Sequence, residues 1–75
     1  MIGTVWKHNN GIIYRVLLIA NINSKDTNTY PTTIVYENVV TGTIWSRPLS
    51  TWESSFSLLD PLEHDALFGI NNSTN

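Results

Sequence analysis

Cysteine is absent from this 75-residue chain, and charged residues are scarce. Without thiols, the chain can form neither a disulfide framework nor a thiolate zinc site. Lys, Arg, Asp and Glu make up 13% of the residues, about half of the roughly 25% that is usual in globular domains. Four basic residues against six acidic ones lack the basic excess of proteins that bind duplex DNA by releasing counterions. Few charges also favour self-association, so we expect a homo-oligomer.

Long hydrophobic runs are missing as well. The longest apolar run, Val16–Ala20, has five residues, whereas a transmembrane helix needs about 20. The segment from Met1 to Gly3 shows neither the basic nor the apolar region of a secretory signal. We therefore expect a cytoplasmic protein with no membrane partner.

Alternating apolar residues and β-branched side chains dominate the first two thirds of the chain. They predict four strands, at Thr4–His8, Ile12–Ile22, Thr33–Val40 and Thr43–Arg47. The second strand is apolar on both faces, with one face predicted to carry Tyr14, Val16, Leu18 and Ala20. Because both faces need cover, this strand is either central or bent, as in small barrels.

Turn residues separate these predicted strands. Asn9-Asn10-Gly11 predicts a type I′ hairpin, which requires a positive φ at both central positions. Thr41-Gly42 predicts a second turn, and Asn23–Thr32 is a polar loop of unusual length for a hairpin.

The hydrophobic period changes after Pro48. Leu49, Trp52 and Phe56 are spaced as on a helix, and Ser50 to Glu53 fits a capping box, which predicts one helical turn with Trp52 facing inward. A short fifth strand is predicted at Phe56–Leu59.

A second helix start follows at Asp60, with Asp at the N-cap, Pro61 at the first helical position and Glu63 at the third. This helix is predicted to end near Phe68, before Gly69. We therefore divide the chain into a small β-barrel domain at 1–59, a short helix at 60–70 and a disordered tail at 71–75.

Several short motifs resemble a small bacterial and phage family that is classed only as a domain of unknown function. They are Trp6-Lys7-His8-x-x-Gly11-x-x-Tyr14-Arg15-Val16-Leu17, Val35-Tyr36 and Trp45-Ser46-Arg47-Pro48-Leu49, in that order. The resemblance spans roughly Val5 to Phe56, and the segment after Asp60 has no counterpart in it. It implies a small, SH3-like, partly open antiparallel barrel of four to five strands, with one or two short C-terminal helical turns. It implies no activity, and it implies a phage or mobile-element origin.

Catalytic constellations are not evident in the sequence. His8 could approach Ser46 if the first and fourth strands pair, but no third member of a triad is placed; the simpler reading of His8 is a histidine that completes a turn network. Glu63, His64 and Asp65 are consecutive and point in different directions around a helix, which disfavours a metal site. The four glycines are scattered, so there is no phosphate loop. We therefore predict a protein that is not an enzyme and needs no cofactor or metal.

Aromatic residues and arginine form the candidate binding site. Trp45 and Arg47 alternate on one strand, so both side chains leave the same face, and Tyr36, Trp6 and His8 are expected on neighbouring strands. Indole and guanidinium groups suit stacking on a base with pairing to a phosphate, and they also dominate protein–protein hot spots. The alternative is structural, with the tryptophans in the core and Arg47 paired to a carboxylate.

These features favour a non-enzymatic binding module that sequesters a host factor. The partner is expected to be a host defence or regulatory protein, or a small anionic nucleotide-like signalling molecule, bound in the cytoplasm of the host cell. One alternative is a β-domain that binds single-stranded nucleic acid, which the net charge of −2 disfavours. Another is a structural or virion accessory protein.

Overall fold

The computed structural model describes residues 1–69. The predicted tail at 71–75 and the last residue of the predicted helical segment lie outside the described residues. The elements are, in chain order, β1 (Val5–His8), β2 (Ile13–Ala20), β3 (Thr33–Asn38), β4 (Ile44–Pro48), α1 (Leu49–Trp52), β5 (Phe56–Leu58) and α2 (Pro61–Phe68). The predicted class is confirmed: the protein is mainly β, with two short helices.

All five strands belong to one antiparallel sheet in the order β4-β3-β2-β1-β5. β4 and β5 are its two edges and do not pair, so the sheet stays partly open. Because β3 and β2 separate β4 from β1, the first and fourth strands are not neighbours. The pairing that would have brought His8 beside Ser46 is therefore wrong.

One face of the sheet carries the main core, and we call it the inner face. Tyr14 and Val16 of β2 and Ile34 and Tyr36 of β3 are buried there against Trp52 of α1 and Phe56 of β5. Trp6 and Ile19 pack against this cluster while partly exposed. The inward direction of Trp52 is confirmed, since its side chain is completely buried.

A bulge in β2 changes which residues face the core. Val16 lies opposite Tyr36 but Leu18 lies opposite Val35, so β2 carries one extra residue, Leu17, at this point. Past the bulge the parity reverses, and Ile19 packs on the core cluster while Leu18 is 47% exposed. The predicted single face of Tyr14, Val16, Leu18 and Ala20 is therefore wrong beyond Val16.

The β1–β2 turn also differs from its prediction. His8 N–H donates to the Ile12 carbonyl at 2.9 Å, which leaves three loop residues. Gly11 has a φ of 90°, whereas Asn10 keeps a negative φ, and a type I′ turn needs two positive values. The Asn10 side-chain oxygen instead accepts the Ile12 N–H at 2.9 Å, so the asparagine holds the loop closed from its side chain.

The first helix begins one residue earlier than its predicted cap. Pro48 occupies the N-cap position and provides no side-chain acceptor, so the predicted capping box from Ser50 to Glu53 is wrong. Thr51 Oγ1 donates to the Pro48 carbonyl at 3.1 Å instead. Proline both ends β4 and starts α1, because its fixed φ suits a helix start and its missing N–H cannot extend a ladder.

The second helix follows its prediction closely. The Asp60 carboxylate accepts the Glu63 N–H at 2.9 Å, Pro61 starts the helix and Gly69 ends it with a φ of 64°. It lies on the face of the sheet opposite the core, where Lys7 Nζ donates to Glu63 Oε2 at 2.7 Å. No residue of α2 is buried, and Leu62 is 83% exposed.

Neither helix of the described chain, 1–69, is long and apolar enough to cross a membrane.

Candidate functional site

The candidate site lies on β4, an edge of the sheet. Trp45 lies directly opposite Tyr36 and Arg47 opposite Ile34, and opposite residues of an antiparallel pair point to the same face. Both side chains therefore project from the inner face. Trp45 is 52% exposed and Arg47 is half-buried. We call these two side chains the Trp45–Arg47 surface.

Arg47 has an aromatic neighbour and, within residues 1–69, no carboxylate neighbour. Its guanidinium carbon lies 5.1 Å from the centre of the Phe56 ring, a cation–π contact. Among residues 1–69, no carboxylate lies within 4.0 Å of it, and no hydrogen bond to it is formed. The carboxylate pairing that would make Arg47 purely structural is thus not present in this part of the chain, and its five N–H donors remain available.

Phe56 is the centre of the aromatic cluster beneath this surface. Its ring stacks on Trp52 with the centroids 3.8 Å apart and the planes within 6°. Three further rings meet it edge to face, with centroids at 4.8 Å for His8, 5.4 Å for Tyr36 and 5.7 Å for Tyr14. Such edge contacts add to the area buried and hold each ring in one orientation. The arginine therefore sits on a rigid platform.

Tyr36 and Trp6 belong to the core as much as to the site. Tyr36 is 5% exposed and packs edge-on against Trp52 at 5.0 Å. Trp6 contacts Trp52 at 5.6 Å, and its indole N–H donates to Thr4 Oγ1 at 2.8 Å. These two residues support the platform from the buried side.

The hydroxyl of Tyr36 still reaches the surface. Within the described chain, Trp52 Nε1 is the one buried side-chain polar atom without a hydrogen-bond partner. The hydroxyl groups of Tyr14 and Tyr36 make no protein hydrogen bond and are not among the buried unpaired atoms, so they meet solvent. Both tyrosines belong to the inner face, like Arg47.

His8 lies directly opposite Phe56 in the β1–β5 pair and completes a turn. Its Nδ1 accepts the Asn10 backbone N–H at 3.0 Å, which leaves the ring hydrogen on Nε2 in the neutral tautomer. This agrees with the simpler reading of His8 as a turn residue. The structure thus brings all five predicted site residues to one face, with Trp45 and Arg47 at the surface and the other three around the platform.

Phe56 and Tyr14 were missed as site residues. The sequence pattern places Phe56 on the helical spacing after Pro48 and at a strand start, and it places Tyr14 on a strand face. The four-residue spacing between Trp52 and Phe56 is the available signal, because a tight three-residue turn joins α1 to β5 and brings the two rings to one side. The contact between Arg47 and Phe56 had no sequence signal, since it depends on how the two sheet edges curl toward each other.

A second surface lies on the opposite face of the sheet. A groove of about 500 Å³ runs between the two hairpin turns and α2. Its apolar lining comes from Ile12, Ile13, Val39, Val40, Leu67 and Phe68. Arg15 also lies there, with its guanidinium carbon 5.7 Å from the Phe68 ring centre. None of the five predicted site residues lines this groove.

No group of three or more metal-binding side chains is found within residues 1–69. His64 Nδ1 and Asp65 Oδ1 lie 3.9 Å apart on α2, at the surface. Comparisons of the chain with protein-family models, with curated proteins and with solved structures found no match. The family resemblance of the β1–β4 motifs therefore stays a prediction.

Proposed function

We propose that this chain is a non-enzymatic binding module that grips an acidic partner protein through the Trp45–Arg47 surface. The observation that carries the proposal is the guanidinium of Arg47, which rests on Phe56 without a carboxylate within 4.0 Å in residues 1–69. A half-buried arginine normally gains a carboxylate or phosphate partner, because its charge is poorly solvated. A partner's carboxylate would supply it.

The shape of the surface favours a protein over a small ligand. Trp45 stands half-exposed on an edge strand, whereas small-molecule sites are concave and enclose most of their ligand. Tryptophan, tyrosine and arginine are also the residues that carry most of the energy at protein–protein contacts. Binding of this kind requires no reacting group, which agrees with the absence of a catalytic constellation from our reading of the sequence.

The host-directed role follows the family resemblance. A phage or mobile-element origin would make the partner a host defence or regulatory protein, held in the host cytoplasm. The nucleotide-like ligand stays the alternative occupant, because an indole beside a free guanidinium also suits a base and its phosphate.

Matched surface variants test the proposal. We expect Arg47→Ala and Trp45→Ala to remove capture of the partner from a host-cell extract, while the chain stays folded. Lys25→Ala removes one positive charge from the exposed 21–32 loop, and Tyr30→Ala removes an aromatic ring that is 58% exposed. Both controls should capture the partner as well as the wild type does.

The same preparation distinguishes the occupants. Mass spectrometry of what leaves the purified protein on denaturation identifies a protein or a nucleotide. Capture that survives both Arg47→Ala and Trp45→Ala would place the binding site elsewhere on the molecule.

A further inference from the structure

The free edge of β4 presents unpaired backbone groups in a defined order. Asn38 N–H donates to the Thr43 carbonyl and Leu49 N–H to the Thr32 carbonyl, each at 2.9 Å. Hydrogen-bonded pairs alternate along an antiparallel ladder, so the backbone groups of Trp45 and Arg47 point toward β3. Those of Ile44, Ser46 and Pro48 point away. The edge therefore offers the N–H and carbonyl groups of Ile44 and Ser46. Pro48 has no N–H, and its carbonyl already accepts Thr51 Oγ1 at the start of α1.

The protection that β4 has against another strand lies at its C-terminal end. Proteins usually shield an exposed edge with charged side chains or proline on the edge, a bulge, a very short strand or a covering segment. β4 pairs with β3 without a register shift over all five of its residues, and no strand of residues 1–69 pairs with its other side. Arg47 and Pro48 are the shielding residues of this strand, and its first three residues, Ile44 to Ser46, have none. The opposite edge, β5, has three residues.

We propose that a second copy of this chain adds its own β4 to this edge, antiparallel and with a two-fold axis at Ser46. In this register all five residues of β4 pair with the β4 of the second copy. Ser46 lies opposite Ser46, and the two exchange both backbone hydrogen bonds. Ile44 lies opposite Pro48, which has no N–H and whose carbonyl is used at the start of α1. The two hydrogen bonds of the Ser46 pair are therefore the backbone contact of the dimer.

The side chains match in the same register. Trp45 of one copy lies opposite Arg47 of the other, at non-hydrogen-bonded positions where the Cα atoms approach to about 4.5 Å and side chains contact most closely. Indole and arginine attract each other there. On the other face, Ile44 meets Pro48 as an apolar pair. A register centred on Arg47 would oppose two guanidinium groups, and one centred on Trp45 would place Pro48 against the Gly42 turn.

The dimer extends the binding surface of one copy. Directly opposed residues share a face, so the inner faces of both sheets lie on the same side. Two tryptophans and two arginines then form one continuous patch across the two-fold axis. The dimer itself goes beyond the proposed partner binding and does not depend on it, because it uses the backbone of the edge rather than a partner's carboxylate.

A single cysteine tests the register. The natural chain has no thiol, so Ser46→Cys introduces a unique one on the two-fold axis. Opposed residues of a hydrogen-bonded pair have Cα atoms about 5.5 Å apart, within the range for a disulfide. In a glutathione redox buffer we expect Ser46→Cys to form a covalent dimer at least about tenfold more readily than Ser57→Cys, an exposed position on the opposite edge β5.

Backbone variants test the hydrogen bonds without a cross-link. Ser46→Pro removes an N–H that points away from β3, so the β3–β4 ladder is kept, whereas Ser46→Ala keeps the N–H. In analytical ultracentrifugation from micromolar to millimolar concentration, we expect Ser46→Ala to dimerise like the wild type. Ser46→Pro should weaken the dimer at least about tenfold. If Ser46→Pro does not fold, Ser46→Asp replaces it: two opposed carboxylates should weaken the dimer, and salt should restore it.

A wild-type chain that stays monomeric at millimolar concentration would overturn the proposal. So would a dimer that Ser46→Cys fails to cross-link, because that dimer uses another surface or register. A Ser46→Pro variant that is monomeric and still captures the partner would support the edge dimer and show that partner binding does not need it. If Arg47→Ala no longer captures the partner while Ser46→Cys still forms the cross-linked dimer, the results support both the proposed partner binding and the proposed dimer.

Discussion

Two tryptophans of this chain occupy opposite extremes of solvent exposure, and they should differ accordingly in their effect on stability. Trp52 is completely buried and stacks on Phe56, whereas Trp45 is 52% exposed on the sheet edge. Burial of a large aromatic side chain is a main source of free energy in a small domain. The thin core of a 75-residue protein therefore depends heavily on Trp52.

We expect Trp52→Ala to lower the free energy of unfolding by about 3–5 kcal/mol, as aromatic-to-alanine changes in cores do. Trp45→Ala should change it by less than about 1 kcal/mol, since surface substitutions rarely exceed this. Urea unfolding at low micromolar concentration, followed by far-ultraviolet circular dichroism, measures both. An equal loss for the two variants would mean that Trp45 packs in the core.

The composition of the candidate site was largely predictable, but its layering was not. Strand alternation correctly placed Trp45 and Arg47 on one face. Strand alternation does not predict whether other elements cover that face of the sheet. In this protein α1 packs on it through Trp52. Tyr36 and Trp6 are therefore beneath the surface rather than on it. The cation–π contact between Arg47 and Phe56 joins the two edge strands and depends on the curvature of the sheet. No local sequence pattern predicts that curvature.

At the level of single elements, α2 is defined by its ends. The pKa of Asp60 is lowered from its ordinary value of 3.8, mainly because its carboxylate accepts the backbone N–H of Glu63, with a smaller contribution from the charge of Lys7. A carboxyl group whose pKa falls on folding stabilises the fold above its unfolded pKa, and this is lost as the pH falls through the folded value. The cap of α2 should therefore weaken only below about pH 3.8.

Asp60→Asn tests this dependence, because an asparagine also caps a helix but does not titrate. We expect the wild type to lose stability relative to Asp60→Asn as the pH is lowered below 3.8, and the two to differ little in slope above pH 5. In the wild type, the Glu63 amide resonance should titrate with a midpoint below the ordinary carboxyl value. A midpoint above 3.8 would contradict the capping bond. Asp26, whose pKa is lowered chiefly by a side-chain hydrogen bond with Thr29, is present in both proteins and cancels.

Strand positions were predictable to within a few residues, whereas departures from regularity were not. The bulge at Leu17 lies within an unbroken apolar run. An aliphatic side chain would face the core whether or not the strand contained the bulge, so the local sequence does not predict it. Tertiary packing determines which residues after the bulge face the core, because Ile19 packs on the inner face beside Ile34. The Asn10-Gly11 turn was recognised as a turn, but its type depended on the register of the flanking strands.

On the scale of the whole molecule, the sheet and α2 are joined by few contacts. The core cluster consists of strand and α1 residues, and α2 has no buried residue. What holds α2 is the ion pair between Lys7 and Glu63, with both side chains about 45% exposed, and the contact of Arg15 with Phe68. An exposed ion pair contributes about 0.2–1 kcal/mol and an exposed cation–π contact about 0.5–1 kcal/mol.

A chain that ends at Asp60 should therefore fold, with the free energy of unfolding lowered by about 1–2 kcal/mol. Urea unfolding and the near-ultraviolet circular dichroism of the aromatic cluster around Phe56 measure this. Glu63→Gln in the full chain is the matched control, because it removes the ion pair and keeps the helix. Glu63→Gln should lower the free energy of unfolding only by the contribution of the ion pair, less than about 1 kcal/mol. If the truncated chain is unfolded while Glu63→Gln is stable, then the apolar residues of α2 are required to complete the fold, and the groove beneath them is part of a second core.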